Sequence, residues 1–448
     1  MYEKSPVYNG KFVSANLDEV KALPGVRGVY AIKGNVTAIE GGLYNGLTDG
    51  VAIVADKWHQ ANRALGKLKV KWDNGETATR STPGFVAKAA ELAKKPAEKS
   101  VKAEGDVDAA LKGAAKVLEA RYEVPFINHS ALEPMNTTVA IKNGKVEIWS
   151  PTQMPGGGKT AVSKLLGIAE PNITLHVTRN GGGFGRRLSN DFMVEAAAVA
   201  NVHGEPVKLL RNRRQDVQSG VFRAGGFHHF KAGLDATGKL TAFRDHLVTY
   251  SNSGKVAVAA DVSATEFPSG FVENLDLGFS MMPLDIPTGP MRAPGSNTLA
   301  FAYQSFLDEL AHAAGKDPLQ FQLDLLGPAK APVTSKSPFG ETVGFNNARM
   351  AGVLKAVAEK SGWGKKLPKG SGMGLAAYFS HQGYFAEVVQ ASVNPKSGQV
   401  RIEKVWVAGD VGRQIVNPSG GGNQAEGAAI DGVSQALAQA ITFTNGAV

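Results

Sequence analysis

Four glycine-rich loops, each running into a helix-like segment, constrain this chain more than any other feature: MPGGGKT (154–160), GGGFGRR (181–187), PTGPMRAPGSNT (287–298) and GDVGRQIVNPSGGGNQAEG (409–427). Glycine without a Cβ serves where a backbone must bend sharply or let another group come close. Four such loops in one chain favour one extended ligand over four unrelated turns. The second loop is the densest. Its four glycines clear every Cβ from around one aromatic, Phe184, and Arg186 and Arg187 stand next to a helix start, where free N–H groups favour anions. The expectation is a large anionic ligand with the Phe184 ring as a wall.

Familiar nucleotide motifs do not fit these loops. A phosphate-binding loop G-x-x-x-x-G-K-[ST] ending at Lys159-Thr160 needs glycine at position 153, which is Gln153. The dinucleotide fingerprint G-x-G-x-x-G fails as well, with Arg186 or Leu188 in the sixth position. The nine histidines include no H-x-x-x-H or H-E-x-x-H spacing, so no metal held by protein side chains is expected. His129, ahead of Glu133-Pro134, reads as a polar residue satisfied under a loop. The chain has no cysteine, which excludes disulfides, thiolate-bound zinc, iron–sulfur ligation and a cysteine nucleophile. A net charge of +9 could suit a polyanion, but the densest lysine stretch, 88–117, is mixed with acidic residues, and no nucleic-acid-reading motif occurs. No apolar run reaches the length of a membrane span, and the first residues carry no apolar signal segment.

At 448 residues the chain has room for about three domains. The pattern is a mixed α/β (α+β) fold. VAIVAD (51–56) and the alternating KLKVKWD (67–73) are strands of a small first domain, 1–73. A charged, alanine-rich stretch, 74–118, reads as a linker with helices of its own. From 119 to 369, glycines punctuate alternating strands and helices; Leu299, Ala302, Tyr303, Phe306, Leu307 and Leu310 form one helical stripe, and Met350, Val353, Leu354 and Val357 another. After PKGSGMG (368–374), two strands, 384–393 and 399–408, lead into an amphipathic helix carrying Ile430, Val433, Leu437 and Ile441.

TQMPGGGKTAVSKLLGI, GGGFGRRLSND, PTGPMRAPGSNTLAFAYQSFLDELAHAAGKDPLQFQLDLL and GDVGRQIVNP with NQAEG, in this order, resemble the molybdopterin-binding large subunit of the molybdenum hydroxylases, the family of xanthine dehydrogenase and aldehyde oxidase. EIWSPTQ (147–153) and the DELAHAAGKDPLQFQ helix pair are most similar to the isoquinoline 1-oxidoreductase β-subunit type. The resemblance implies a hammerhead-type domain over 1–73, a first molybdopterin-binding domain over 119–369, and the start of a second over 370–448. It implies molybdenum on a pterin dithiolene, in the cytosine dinucleotide form, with the metal held by the cofactor's own sulfurs. Gln153, Phe184 and Arg292 would act at the reacting centre. Gly182, Gly183, Gly185 and Arg186 would line the cofactor with Phe184, Ala293 and Gly295 would approach with Arg292, and Gly412, Arg413, Gln424 and Glu426 would form the dinucleotide groove.

The implied chemistry is hydroxylation of an N-heteroaromatic or aldehyde small-molecule substrate. Water is the oxygen source, a cation lowers its pKa, and a general base takes its proton. Electrons would leave through iron–sulfur clusters on a small partner subunit, with a cytochrome c as acceptor, in a bacterial periplasm in preference to the cytoplasm. The family's general-base glutamate lies in a G-V-G-E type loop and a further cofactor segment reads G-Q-G; neither occurs here. The chain is therefore expected to be part of a longer protein, truncated at both ends and inactive alone. The rival reading is a non-catalytic fragment that binds cofactor or partner without turnover.

Overall fold

A computed structural model of the protein describes residues 1–34, 39–40, 43–336 and 342–448. In the N-terminal unit, strand Gly50–Ala55 is the centre of a three-stranded antiparallel sheet between Tyr2–Lys4 and Val26–Ile32. That position explains its unbroken apolar run: Val51, Ala52 and Ile53 are at most 1% exposed. The alternating segment supplies Val70–Asp73, paired with Lys11–Ala15.

The next unit is a four-stranded sheet in the order Ile173–Val177, Lys145–Ser150, Asn136–Lys142, Val207–Leu210. Helices Pro155–Leu166 and Asp191–His203 pack against it. Every residue from Asp191 to Ala200 is buried. A helix covered all round must be enclosed by more than one layer. Here the second layer is the N-terminal unit, whose Tyr2, Ile32 and Ala52 share a core with Val194, Ala197 and Ile148.

A six-stranded sheet follows, with Leu240–Asn252 near its centre. The 74–118 stretch carries helices Thr82–Leu92 and Val107–Gly113, and also lends strand Lys99–Glu104 to one edge of this sheet, beside Asn274–Pro283. Helix Ser296–Ala313 lays its predicted stripe on the sheet, with Ala302, Tyr303, Phe306, Leu307 and Leu310 at 0% exposure. Gly315, at φ +67, and the Asp317 N-cap separate it from helix Pro318–Leu326.

Strands Ser371–Ser380, Gly383–Val393 and Val400–Asp410 form a last antiparallel sheet. Helix Asn347–Ser361 covers one face, packing Leu354 and Val357 against Leu375, Ala386 and Val388. Phe385, Val393, Val400 and Val407 of this sheet stay exposed. Helix Pro418–Leu437 buries none of its residues. The expected stripe on it needs correcting: Ile430 is 72% and Leu437 55% exposed, and Ile441 lies beyond the helix. There the chain turns back, the Ile441 amide donates to the Phe126 carbonyl (2.7 Å), and Phe443 enters a ring cluster with Phe85, Phe126 and Phe222. Burial in that aromatic cluster, and not helical periodicity, places the apolar residues after 437. Among the described residues no helix is long and apolar enough to cross a membrane.

Candidate functional site

The turn Gly181–Gly185 leaves strand Ile173–Val177 and enters helix Asp191–His203. Its glycines are explained first by neighbouring backbone and side chains. A Cβ at Gly185, where φ is +100, would stand 2.1 Å from the Pro290 carbonyl oxygen, and one at Gly183 would stand 2.7 Å from Gln153 Oε1. Glycine at these two positions therefore lets three loops close on one another. The contact is bonded: the Gln153 amide donates to the Arg187 carbonyl (2.9 Å), the Arg187 amide to Gln153 Oε1 (3.3 Å), and the Arg292 amide to the Phe184 carbonyl (2.9 Å). Arg292 then extends the chain of contacts to the fourth loop, donating Nη2–H to the Gln424 carbonyl (2.6 Å) and Oε1 (2.9 Å). Gln153, Gly182 to Gly185, Arg292, Ala293 and Gln424 are thus brought together. Gly295 is the N-cap of helix Ser296–Ala313 beside them. Gly412, Arg413 and Glu426 are exposed, and no side-chain hydrogen bond ties Arg413 or Glu426 to the other loops among the described residues.

Arg186 and Arg187 do not face an anionic ligand, as adjacency to the helix start suggested. Arg186 is 2% exposed and bonds Asp191 Oδ1 and Oδ2 with both terminal nitrogens, each at 2.8 Å. Arg211 adds a bond to Asp191 (2.8 Å) and to Glu195 (2.7 Å), and Lys4 reaches Glu195 at 2.7 Å. Burial pushes the Asp191 carboxyl up, but the Arg186 and Arg211 guanidiniums outweigh it and hold the group well below the usual carboxylate range. Arg187, fully buried, donates Nε–H to the Gly182 carbonyl (2.8 Å) and Nη2–H to the Glu133 carbonyl and Oε2 (both 2.9 Å). Buried guanidiniums need bonded partners, so both arginines brace the glycine turn from behind. Glu133 Oε2 also accepts from the Gly181 amide (2.7 Å). His129 lies buried under a loop: its ring nitrogens face the Val221 and Pro290 carbonyls at 3.1 and 2.9 Å, burial pushes its imidazole down to about 4, and the neutral ring donates its single N–H to one of the two carbonyls.

Sequence reasoning missed Glu133 as the brace of the turn. It also missed a concentration of backbone strain. Six of the residues other than glycine with positive φ flank the convergent loops: Ser130, Phe184, Ala259, Ala293, His381 and Gln382. Such conformations persist where surrounding structure enforces them, and they gather at functional sites. No composition signal marks them, because none is glycine or asparagine.

The loops leave a cradle of polar groups without protein partners. Among the described residues, nothing accepts from the amides of Gly183, Phe184 and Gly185, nor from Gln153 Nε2. Phe184, at φ +55 and 42% exposed, holds its ring outward beside them. Free amides in a glycine turn suit oxygen-rich or anionic groups. Among the described residues no group of three or more His, Cys, Asp or Glu is placed to hold a metal ion, so a metal here would need ligands of its own. A metal carried on a pterin dithiolene fits these residues.

Comparison with known proteins shows the family. Residues 92–324 match the sequence model of a molybdopterin cofactor-binding domain, and residues 303–448 match a second model of the same description. The chain is 29% identical over 418 residues to the membrane-bound aldehyde dehydrogenase [pyrroloquinoline-quinone] of Gluconacetobacter polyoxogenes, covering 88% of this chain and 53% of that protein. It is 26% identical over 438 residues to isoquinoline 1-oxidoreductase subunit beta of Brevundimonas diminuta, covering 89% and 52%. It spans about half the length of each of these relatives. The fold is similar to the crystal structure of quinoline 2-oxidoreductase from Pseudomonas putida 86, with a TM-score of 0.63 at 17% identity over 84% of this chain and 53% of that one. With one of these domain models matching more than half of its residues, the chain belongs to the molybdenum hydroxylase family of molybdopterin cofactor-binding oxidoreductases.

Proposed function

We propose that the four loops hold one molybdopterin cofactor, in the cytosine dinucleotide form, and that the assembled protein hydroxylates an N-heteroaromatic or aldehyde substrate with water as the oxygen source. The observation that carries this reading is the continuous bonded path from Gln153 through Phe184 and Arg292 to Gln424. When bound, the cofactor would supply the two-electron oxidant and the polarised water. The chain's own residues do the rest. Gln153, fixed by the Arg187 amide on its Oε1, presents Nε2–H as a donor. The amides of Gly183 to Gly185 donate to oxygens on the same side. Phe184 gives a flat apolar wall for a planar substrate and excludes water from it. Arg292, held by Gln424, sets the opposite wall. We assign 1–73 to a hammerhead-type domain, 74–118 to a linker that also serves the large sheet, 119–369 to the first cofactor-binding domain and 370–448 to part of a second.

The uncovered apolar side chains around Phe385, Val407, Ile430 and Leu437 support a site completed by further polypeptide, which would bring the general base. Electrons would leave to iron–sulfur clusters on a partner subunit, a reading supported by the absence of cysteine from these residues. The name of one relative carries pyrroloquinoline-quinone. The two family matches and the free amide cradle favour the pterin. Turnover of the assembled enzyme in H2(18)O tests the reaction. Label in the hydroxylated product is expected; unlabelled product made from labelled water would overturn it.

A further inference from the structure

The hairpin between Ser371–Ser380 and Gly383–Val393 turns on two residues, His381 at φ +49 and Gln382 at φ +66. A two-residue hairpin of the type I′ kind takes this left-handed pair, and Asn-Gly would adopt it at least cost. Histidine and glutamine are bulkier than the turn itself asks for. The place of the turn suggests why they are there.

On one side, Ser380 Oγ donates to Ser296 Oγ (2.8 Å), on the first residue of the helix that follows the Arg292 loop. Asn297, next in that helix, donates Nδ2–H to the Arg292 carbonyl (2.8 Å). On the other side, a Cβ at Gly383 would lie 3.6 Å from Val411 Cγ1, the residue before Gly412-Arg413. The turn therefore stands between the third and fourth loops, and His381 is exposed there.

Its ring orientation and tautomer are both fixed. Ser380 Oγ lies 2.7 Å from His381 Nδ1. A serine hydroxyl has one proton, and this one is used on Ser296, so Ser380 accepts from Nδ1–H. Nε2 then carries the lone pair. A solvated hairpin tip would need neither the bulky left-handed pair nor this lock.

We propose that His381 is a substrate-binding residue of this site, with Nε2 accepting a hydrogen bond from a ring N–H or hydroxyl of a heteroaromatic substrate. The inference rests on the proposed function and narrows its substrate class, because an aldehyde without a donor gains nothing from this contact. Ser380 and Ser296 act through His381, as positioning residues.

The test is nitrogen-15 NMR of the imidazoles in the full chain at pH 8, with backbone amides followed in parallel. The Nδ1–H tautomer is expected for His381 in the free protein. 2-Hydroxypyridine, which presents an N–H as its pyridone, should shift Nε2 together with the amides of Phe184 and Arg292. Benzaldehyde should shift those amides and leave Nε2 in place. His381→Asn, a residue at home in this turn, should weaken pyridone binding about fivefold to tenfold and leave benzaldehyde binding unchanged. Ser380→Ala should mix the tautomers and lose part of the same affinity. An Nε2–H tautomer in the free chain overturns the proposal. So does undiminished pyridone affinity in His381→Asn while Phe184 and Arg292 still respond, an outcome that leaves the cleft reading standing. If no amide responds to either compound, the cleft reading fails and this inference fails with it.

Discussion

Replacing Gly185 by alanine probes the junction on which the site depends. The new Cβ would lie 2.1 Å from the Pro290 carbonyl oxygen, 2.9 Å from its carbon and 3.3 Å from Met291 Cα, all backbone atoms that no rotamer change can move aside. Ordinary contact begins near 3.5 Å, so the second and third loops must separate by about 1 Å. Two costs follow. An L-residue held in the left-handed region costs about 1–2 kcal/mol. Separation also breaks the bond from the Arg292 amide to the Phe184 carbonyl, worth about 0.5–1.5 kcal/mol. The sum is about 1.5–3.5 kcal/mol, concentrated at one place. Amide exchange of Arg292 reads it directly: protection of that N–H should fall at least about tenfold, since 1.4 kcal/mol is a factor of ten. Gly156→Ala is the control, because nothing lies within 4 Å of a Cβ there and helix propensity alone should stabilise slightly. Unchanged Arg292 exchange in Gly185→Ala would show that the close approach of the two loops does not exist in solution.

Three further outcomes are expected. Glu266 is buried, accepts a bond from Tyr378 Oη (2.6 Å), and is pushed up by that burial to about 8. A folded-state pKa raised above that of the unfolded chain makes the stabilising proton present at low pH and lost as pH rises from about 4.5 to 8, a loss on the order of 5 kcal/mol. Glu266→Gln should therefore flatten the decline in the melting midpoint over that range; parallel profiles for the two proteins would refute it. His129 gives the opposite slope: its imidazole is pushed below the unfolded value of 6.5, so stability falls as pH drops from about 6.5 towards 4, and His129→Gln should reduce that fall, measured by urea denaturation. Helix Pro418–Leu437, with no buried residue, should exchange its amides much faster than helix Ser296–Ala313 in the isolated chain, and equal protection by mass-spectrometric exchange would contradict the exposed face described here.

Much of the framework was legible because periodicity and burial coincide. Leu299 to Leu310 read as a helix face and form one, and Val51 to Ile53 read as a buried strand and lie at the centre of a sheet. The glycine loops were legible as places of close approach because missing Cβ atoms leave a local mark in the sequence. Their cause was not, since the Pro290 carbonyl is more than 100 residues from Gly185. Arg186 reads as facing outward because it stands beside a helix start, where an anion would be favoured, whereas Asp191, only five residues on, takes it inward. Ile441 was misread because its partner is Phe126, far along the chain. The strained turn at His381 leaves no compositional mark at all.

The central claim, that the four loops form one pterin site, is tested most directly by the cofactor that the chain retains. The protein would be expressed in a host that makes the molybdenum cofactor, purified, and its pterin measured by fluorescence after oxidation, beside Gln153→Ala, Arg292→Ala and a Lys159→Ala control on the first loop's helix. The account predicts pterin in the parent and in Lys159→Ala, and its loss from Gln153→Ala and Arg292→Ala proteins that keep the parent's circular dichroism spectrum. A folded parent chain that retains no pterin, or that retains pyrroloquinoline-quinone in its place, would contradict it.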